Sequence, residues 1–567
     1  MEPLLTSRKL LLVALLQSFF LIILHQSVDF AFWPGQSPPW LLAAYSLVIF
    51  LPSTLIFSSF TQLNSAFYIQ LGIYALLFTL CGFYLGSQLL PERAPIPSQA
   101  WPYPLIIFLA SVLLIPWLTQ NSRERWLPSY GALSQAMGRL LLVFAAAQLF
   151  ALSVLMLLML WASLFEVIEI SFFTDLFSEP WFYYPAITLS QAIGVIQARS
   201  RSNLANQLFA ICRNFATLLL PVLVAVAMLF FVAVLFSELD TLWQNGGSSL
   251  IFVLVGAIVL CLNLSDEALT QRPWYRHFIA LGLLLLPCYL ALSGWGLYLR
   301  IEQYGLSLAR LWAVLIASVS MTVCAGYVWQ LVTHKATWYT RLSTVNRPVT
   351  LGLLGLLIAT QTPLLDFRGM SVNSQIDRLT AGITQPADFD PRYLVNELGR
   401  KGLAALESLQ HSIDDEQLKR RIHTALTLET KPLTTQTLLD LIDMSDAQKQ
   451  ALPQELVTAL EVFARHNTHL FDDATELMLR PIQLDNTPEA EYLFIANTQH
   501  RVELRVFYLG VIDGVQGWQS GYMDQKVYGP QSKDLLEALK TDNFEIVEPR
   551  FKDIKIGEHR LELHSPF

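Results

Sequence analysis

A chain of 567 residues in which 53% are hydrophobic and only 14% are charged lies outside the composition of a soluble globular protein, where charged residues make up about 25%. The net charge of −8 belongs entirely to the C-terminal part: up to Asp366 there are 16 Lys and Arg against 14 Asp and Glu, and from Phe367 onward 21 against 31. An acidic tail on a near-neutral apolar body argues against nucleic acid or anionic lipid as the tail's main partner, since both are bound by a surplus of Lys and Arg; the lipid bilayer is the partner the apolar body demands.

At the N-terminus Arg8 and Lys9 precede the apolar run Leu10 to Leu24. The stretch that follows, His25 to Phe30, has no small-x-small cleavage site, so an uncleaved first span is expected. A span needs about 20 apolar residues to cross roughly 30 Å of hydrocarbon. Eleven segments qualify, at 10–26, 41–59, 67–86, 103–119, 140–164, 181–198, 215–236, 250–264, 278–298, 308–332 and 348–365. The sixth is the weakest, interrupted by Pro185, Ser190 and Gln191, and the eighth is short for a full crossing.

Cytoplasmic loops retain Lys and Arg. With the N-terminus inside, the cytoplasmic connections hold 13 basic residues, among them Arg123, Arg199, Arg272 and Arg347, whereas the opposite set holds only Arg93, Arg300 and Arg310. Removing the sixth span would put the last three basic loops outside, so the bias itself argues for that span. Eleven spans then leave the tail on the non-cytoplasmic side. The outer connections collect acids, including Glu166, Glu169, Asp175 and Glu179, and the aromatic run from Phe172 through Tyr184 suits the headgroup layer.

After residues 1–366 the apolar runs stop. Residues 367–475 carry helical periodicity, beginning with Asp388-Phe389-Asp390-Pro391, an N-cap acid directly before a first-turn proline. From 476 to 567 the period falls to two, with strands expected at 492–496, 502–511 and 545–551, a polar helix at 531–540, and turns at Asp513-Gly514 and Gly517. The fold class expected is an α-helical polytopic membrane domain followed by a soluble α+β C-terminal domain. The tail has no cysteine, which excludes a disulfide framework there.

Catalytic signatures are missing. No HExxH, GxSxG or GxxxxGK occurs, and Gly517-Trp518-Gln519-Ser520-Gly521 reads as a Gly-rich hairpin. No metal-ligand spacing and no cofactor motif is present. The spans lack buried Asp, Glu, Lys or His of the kind ion-coupled carriers keep at mid-depth; Gln17, Gln70, Gln148, Gln191 and Asn263 are expected to bond between helices instead. The charged candidates are therefore residues of the outer loops: Asp29, Glu166, Glu169, Arg300, Glu302 and Tyr304.

Two regions carry a resemblance. Tyr298-Leu299-Arg300-Ile301-Glu302-Gln303-Tyr304-Gly305-Leu306, together with Asp388-Phe389-Asp390, Tyr393-Leu394, Leu398-Gly399 and Gly402-Leu403-Ala404-Ala405-Leu406, resembles a family of bacterial multi-span membrane proteins catalogued only as a domain of unknown function. That resemblance implies a bacterial inner membrane and brings no activity, cofactor or catalytic residue with it. The reading that follows is a non-enzymatic inner-membrane protein whose periplasmic domain binds an envelope protein or lipid-linked ligand. A transferase using a lipid-linked donor would require outer-loop carboxylates to converge, and a facilitative permease would require a continuous polar path.

Overall fold

The computed structural model describes residues 5–561 apart from 60–64, 91–99, 121–127, 237–246, 431–437, 468–473, 485–490, 523–526, 529–535, 542–553 and a few shorter stretches. The chain forms two compact units, Met1–Ser412 and Ile413–Phe567. The boundary expected at Phe367 falls inside the first of them.

Each of the eleven apolar segments is helical: α1 (Ser7–Asp29), α2 (Pro38–Phe57), α3 (Ser65–Gln88), α4 (Pro102–Gln120), α5 (Tyr130–Glu166), α7 (Pro180–Ser200), α8 (Ser202–Leu235), α9 (Gly247–Leu264), α11 (Pro273–Tyr304), α12 (Leu308–His334) and α13 (Leu342–Ala359). Short helices α6 (Phe172–Ser178) and α10 (Asp266–Gln271) lie between them. Among the described residues, nine helices are long and apolar enough to cross a membrane. The two that miss this standard are α7 and α9, the sixth and eighth segments.

The low hydropathy of α7 has a packing explanation. Its Thr188, Ser190, Ala192, Gly194 and Val195 are buried, and a Cβ built on Gly194 would lie 2.7 Å from the Cα of Ala147 on α5. Small residues let helix backbones approach where no hydrophobic effect drives association, so the residues that dilute the apolar signal are those that make the contact. Both ends of α7 also meet α1. Tyr184 Oη lies 3.3 Å from His25 Nδ1, and Arg199 donates to the carbonyl of Leu5 at 2.6 Å. The two helices therefore run antiparallel over the same length.

Neutral polar groups tie the helices together. Gln17 donates to Ser53 Oγ at 3.3 Å, and Gln191 to Gln148 Oε1 at 3.2 Å. Tyr130, Asn263, Tyr327 and Asn346 form one network across α5, α9, α12 and α13: Tyr130 Oη donates to Asn263 Oδ1 at 3.0 Å, Asn263 Nδ2 to Tyr327 Oη at 2.9 Å, and Asn346 Nδ2 to Tyr130 Oη at 2.9 Å, while Tyr327 also donates to Asn346 Oδ1. At the opposite end, Phe173 of α6 packs against Phe165 with ring centroids 4.5 Å apart.

After α13 the chain continues through α14 (Phe367–Thr380), α15 (Pro391–Leu398) and α16 (Arg400–Ser412), all within the first unit. Asp390 caps α15 as its sequence position requires, accepting from the amides of Arg392 at 3.0 Å and Tyr393 at 3.4 Å. The helical repeat through Leu409 is interrupted at Gly399, whose φ of 65° ends α15 in the left-handed region that favours glycine. Two crossing helices result where periodicity alone suggests one.

The second unit contains α17 (Glu416–Thr430), α18 (Asp446–Gln450) and α19 (Gln454–His466), then strands β1 (Ala474–Ile482), β2 (Glu491–Thr498), β3 (Arg501–Ile512), β4 (Val515–Tyr522), β5 (Val527–Tyr528), β6 (Ile554–Ile556) and β7 (His559–Leu561). The first four form an antiparallel meander in chain order, with β5 added beside β3. One face packs Leu477, Phe494 and Phe507 against Leu456, Leu460 and Phe463 of α19. The other packs Met478, Ile495 and Val506 against Leu539. Gly517 is a strand residue, not a turn: β4 pairs with β3 and sets Gly517 opposite Gly510. The turn expected at Asp513-Gly514 and the strand at 545–551 fall outside the described residues.

Candidate functional site

One end of the first unit is organised by α14, which forms a polar clamp on the connection between α11 and α12. Gly305 turns that connection with φ of 73°. The last carbonyls of a helix lack intrahelical partners, and α14 supplies them: Arg378 donates to the carbonyls of Glu302 at 2.8 Å and Gln303 at 2.7 Å, and Gln375 to those of Tyr304 at 3.2 Å and Leu306 at 2.9 Å. Ser374 Oγ accepts from the Leu306 amide at 3.0 Å, and Ser371 Oγ donates to the Leu306 carbonyl at 3.1 Å. Tyr393 of α15 accepts from the amide of Leu308 at 3.0 Å. Tyr393, one of the residues that carry the family resemblance, thus bonds the chain two residues past the other resembling stretch, Tyr298 to Leu306.

This geometry places the outer-loop candidates. Arg300, Glu302 and Tyr304 share the last turn of α11 with exposed side chains. Glu302 is engaged through its backbone carbonyl, and the Tyr304 ring lies under the Arg310 guanidinium, 5.3 Å from its centroid. Asp29 ends α1, its carboxylate 3.4 Å from His25 Nε2, which joins it to the His25–Tyr184 contact. Glu166 is exposed at the end of α5, and Glu169 lies outside the described residues. The structure therefore brings together Arg300, Glu302 and Tyr304, and sets Asp29 and Glu166 on other helices.

A cavity of about 110 Å³ opens where the C-terminal ends of α3 and α13 meet the N-terminal ends of α4 and α12, beneath α14 and α15. Its polar wall includes Tyr84, Gln88, Gln361, Asp366, Arg368 and Glu397, and none of the six outer-loop candidates lines it. Asp366 is held from two sides. It accepts from the Gly369 amide at 3.0 Å as the cap of α14, and Lys401 of α16 donates to its other oxygen. Lys401 also reaches Tyr84 Oη at 3.5 Å, while Arg400 donates to the Leu89 carbonyl beyond α3 at 3.0 Å. Burial lowers the pKa of Arg368, and nearby Tyr84, Asp366 and Glu397 pull it back; a guanidinium stays protonated under these conditions. The cavity wall is thus charged, with one cation and two carboxylates that are not the acids and bases of the outer loops.

These residues left a partial signal. Ser371, Ser374, Gln375 and Arg378 recur at the spacing of one helix face, a polar stripe that marks α14 as packed against something polar. Nothing in the spacing of Asp366, Arg368 and Glu397 marks a cavity.

The architecture defines a polytopic α-helical integral membrane protein with a C-terminal α+β unit. The chain belongs to the family described as a domain of unknown function (DUF4153), whose profile matches residues 7–409, almost the whole first unit. No curated protein and no solved structure matches it.

Proposed function

We propose that this chain is a non-enzymatic component of a bacterial inner membrane, with its N-terminus in the cytoplasm, and that the unit Ile413–Phe567 stands on the periplasmic side and docks an extended basic segment of another envelope protein. The threading rests on 13 basic residues in one set of connections against 3 in the other. The docking rests on a groove of about 610 Å³ between α19 and β4, lined by Glu455, Thr458, Val462, Phe463, Trp518 and Ser520.

Among the described residues β4 pairs only with β3, and a strand at a sheet edge is the usual place for an added strand to pair. Val462, 52% exposed, and Trp518 supply the apolar floor. The unit holds 16 Lys and Arg against 26 Asp and Glu, a net of −10, which favours a basic occupant.

A photo-crosslinking residue placed at Val462 in intact cells tests the docking. The expected result is one discrete adduct of envelope origin that disappears when Trp518→Asp is added at normal protein level. Adducts of the same pattern and intensity with and without Trp518→Asp, or adducts only to cytoplasmic proteins, would contradict it.

A further inference from the structure

The cavity under α14 and α15 carries more chemistry than a packing gap. Its four charged neighbours, Asp366, Arg368, Glu397 and Lys401, sum to zero, and Lys401 and Asp366 are committed to each other. Arg368 and Glu397 line the space together with the hydroxyl and amide groups of Tyr84, Gln361 and Thr362 and the apolar surfaces of Leu85, Ile106 and Trp312. A simple anion gains little from a site whose field is neutral and whose wall holds two carboxylates. A zwitterion gains from both signs.

The depth of the cavity adds a second constraint. It lies where α3 and α13 end and α4 and α12 begin, immediately past the apolar run of α13. That is the level of the polar headgroup region for helices that cross a bilayer, and Trp312, Tyr84 and Tyr103 are aromatics of the kind that populate it. The mixed polar and apolar wall matches an amphiphile.

We propose that this cavity binds the headgroup of a zwitterionic phospholipid of the phosphoethanolamine class, its phosphate on the Arg368 guanidinium and its primary ammonium on the Glu397 carboxylate. Arg presents paired donors to phosphate oxygens, and the glycerol end of the lipid lies along Leu85 and Trp312. This inference is independent of what the C-terminal unit docks.

The test uses the full-length protein in mild detergent, titrated by native mass spectrometry with dioleoyl phosphatidylethanolamine, dioleoyl phosphatidylglycerol and soluble phosphoethanolamine. The wild-type chain should bind the ethanolamine lipid about ten-fold more tightly than the glycerol lipid, the ratio expected from one charge-assisted hydrogen bond. Arg368→Gln should weaken both lipids, and Glu397→Gln should abolish the preference while leaving the glycerol lipid bound. Because Glu397 is exposed at the cavity mouth, its variant keeps the test decisive if Arg368→Gln fails to fold. Equal binding of the two lipids by wild type, or an unchanged preference in Glu397→Gln, would overturn the proposal. Soluble phosphoethanolamine binding as tightly as the lipid would overturn its lipid character.

Discussion

Gly402→Ala is expected to lose most of the folded protein. A Cβ at this position would stand 1.7 Å from the carbonyl oxygen of Leu394, a backbone atom that moves only if α15 and α16 separate. Those two helices carry Tyr393, Arg400 and Lys401 to the cavity end of the first unit, so their separation propagates. Overpacking of a tight contact costs about 1 to 3 kcal/mol, and more where the neighbour is rigid; the upper end applies here. Melting of the detergent-solubilised protein, together with its steady-state level in the membrane, reads the effect. Gly352→Ala and Gly355→Ala on α13 are the controls. A Cβ at either meets nothing within 4 Å, so both should be neutral or gain up to about 1 kcal/mol from the helix preference for alanine. Equal melting of Gly402→Ala and the controls would show that α15 and α16 do not make this contact.

Arg378→Ala is expected to release the connection between α11 and α12. The guanidinium holds two terminal carbonyls of α11, and a hydrogen bond to a charged group contributes about 1.5 to 3 kcal/mol. These bonds are partly open to water, which can rehydrate the freed carbonyls, so the expected loss is about 2 to 3 kcal/mol in all. Arg378→Lys should recover less than half of it, because an ammonium cannot span both acceptors with the same planar geometry. Arg300→Gln and Glu302→Gln, which change exposed side chains of the same connection, should each stay within about 0.5 kcal/mol. The contrast is the point of the experiment: a loss at Arg300 or Glu302 equal to that at Arg378 would move the weight of this loop from its backbone to its side chains.

Much of the helical unit was legible in the sequence because a span advertises itself by length and apolarity. Each of the eleven predicted segments is a helix, and the two that fall short in length or hydropathy, α7 and α9, are the two whose sequence is weakest as a span. The low hydropathy of α7 comes from small and polar residues such as Ser190 and Gly194, which are buried, Gly194 directly against Ala147 of α5. The Asp390 cap was equally plain, being a local effect of residues next to each other.

The candidate site was less legible, for two physical reasons. The clamp on Gly305 joins residues 65 or more positions apart, and most of its acceptors are backbone carbonyls, which every residue possesses and no sequence displays. The cavity charges hide in a different way. Asp366 and Arg368 follow directly on the last span and read as a domain boundary, and only the fold brings Glu397 and Lys401 beside them. Strand β4 was obscured by Gly517 and Gly521, which suggest a hairpin; the strand accommodates Gly517 by pairing it with Gly510 of β3.

The threading is tested most directly by paired reporters fused after Phe567 in intact bacterial cells, one an alkaline phosphatase that folds only outside the cytoplasm and the other a fluorescent protein that matures only within it. An odd number of crossings, with α7 among them, predicts an active phosphatase and a dark fluorescent fusion. A bright fluorescent fusion with a silent phosphatase would contradict it and return the C-terminal unit to the cytoplasm.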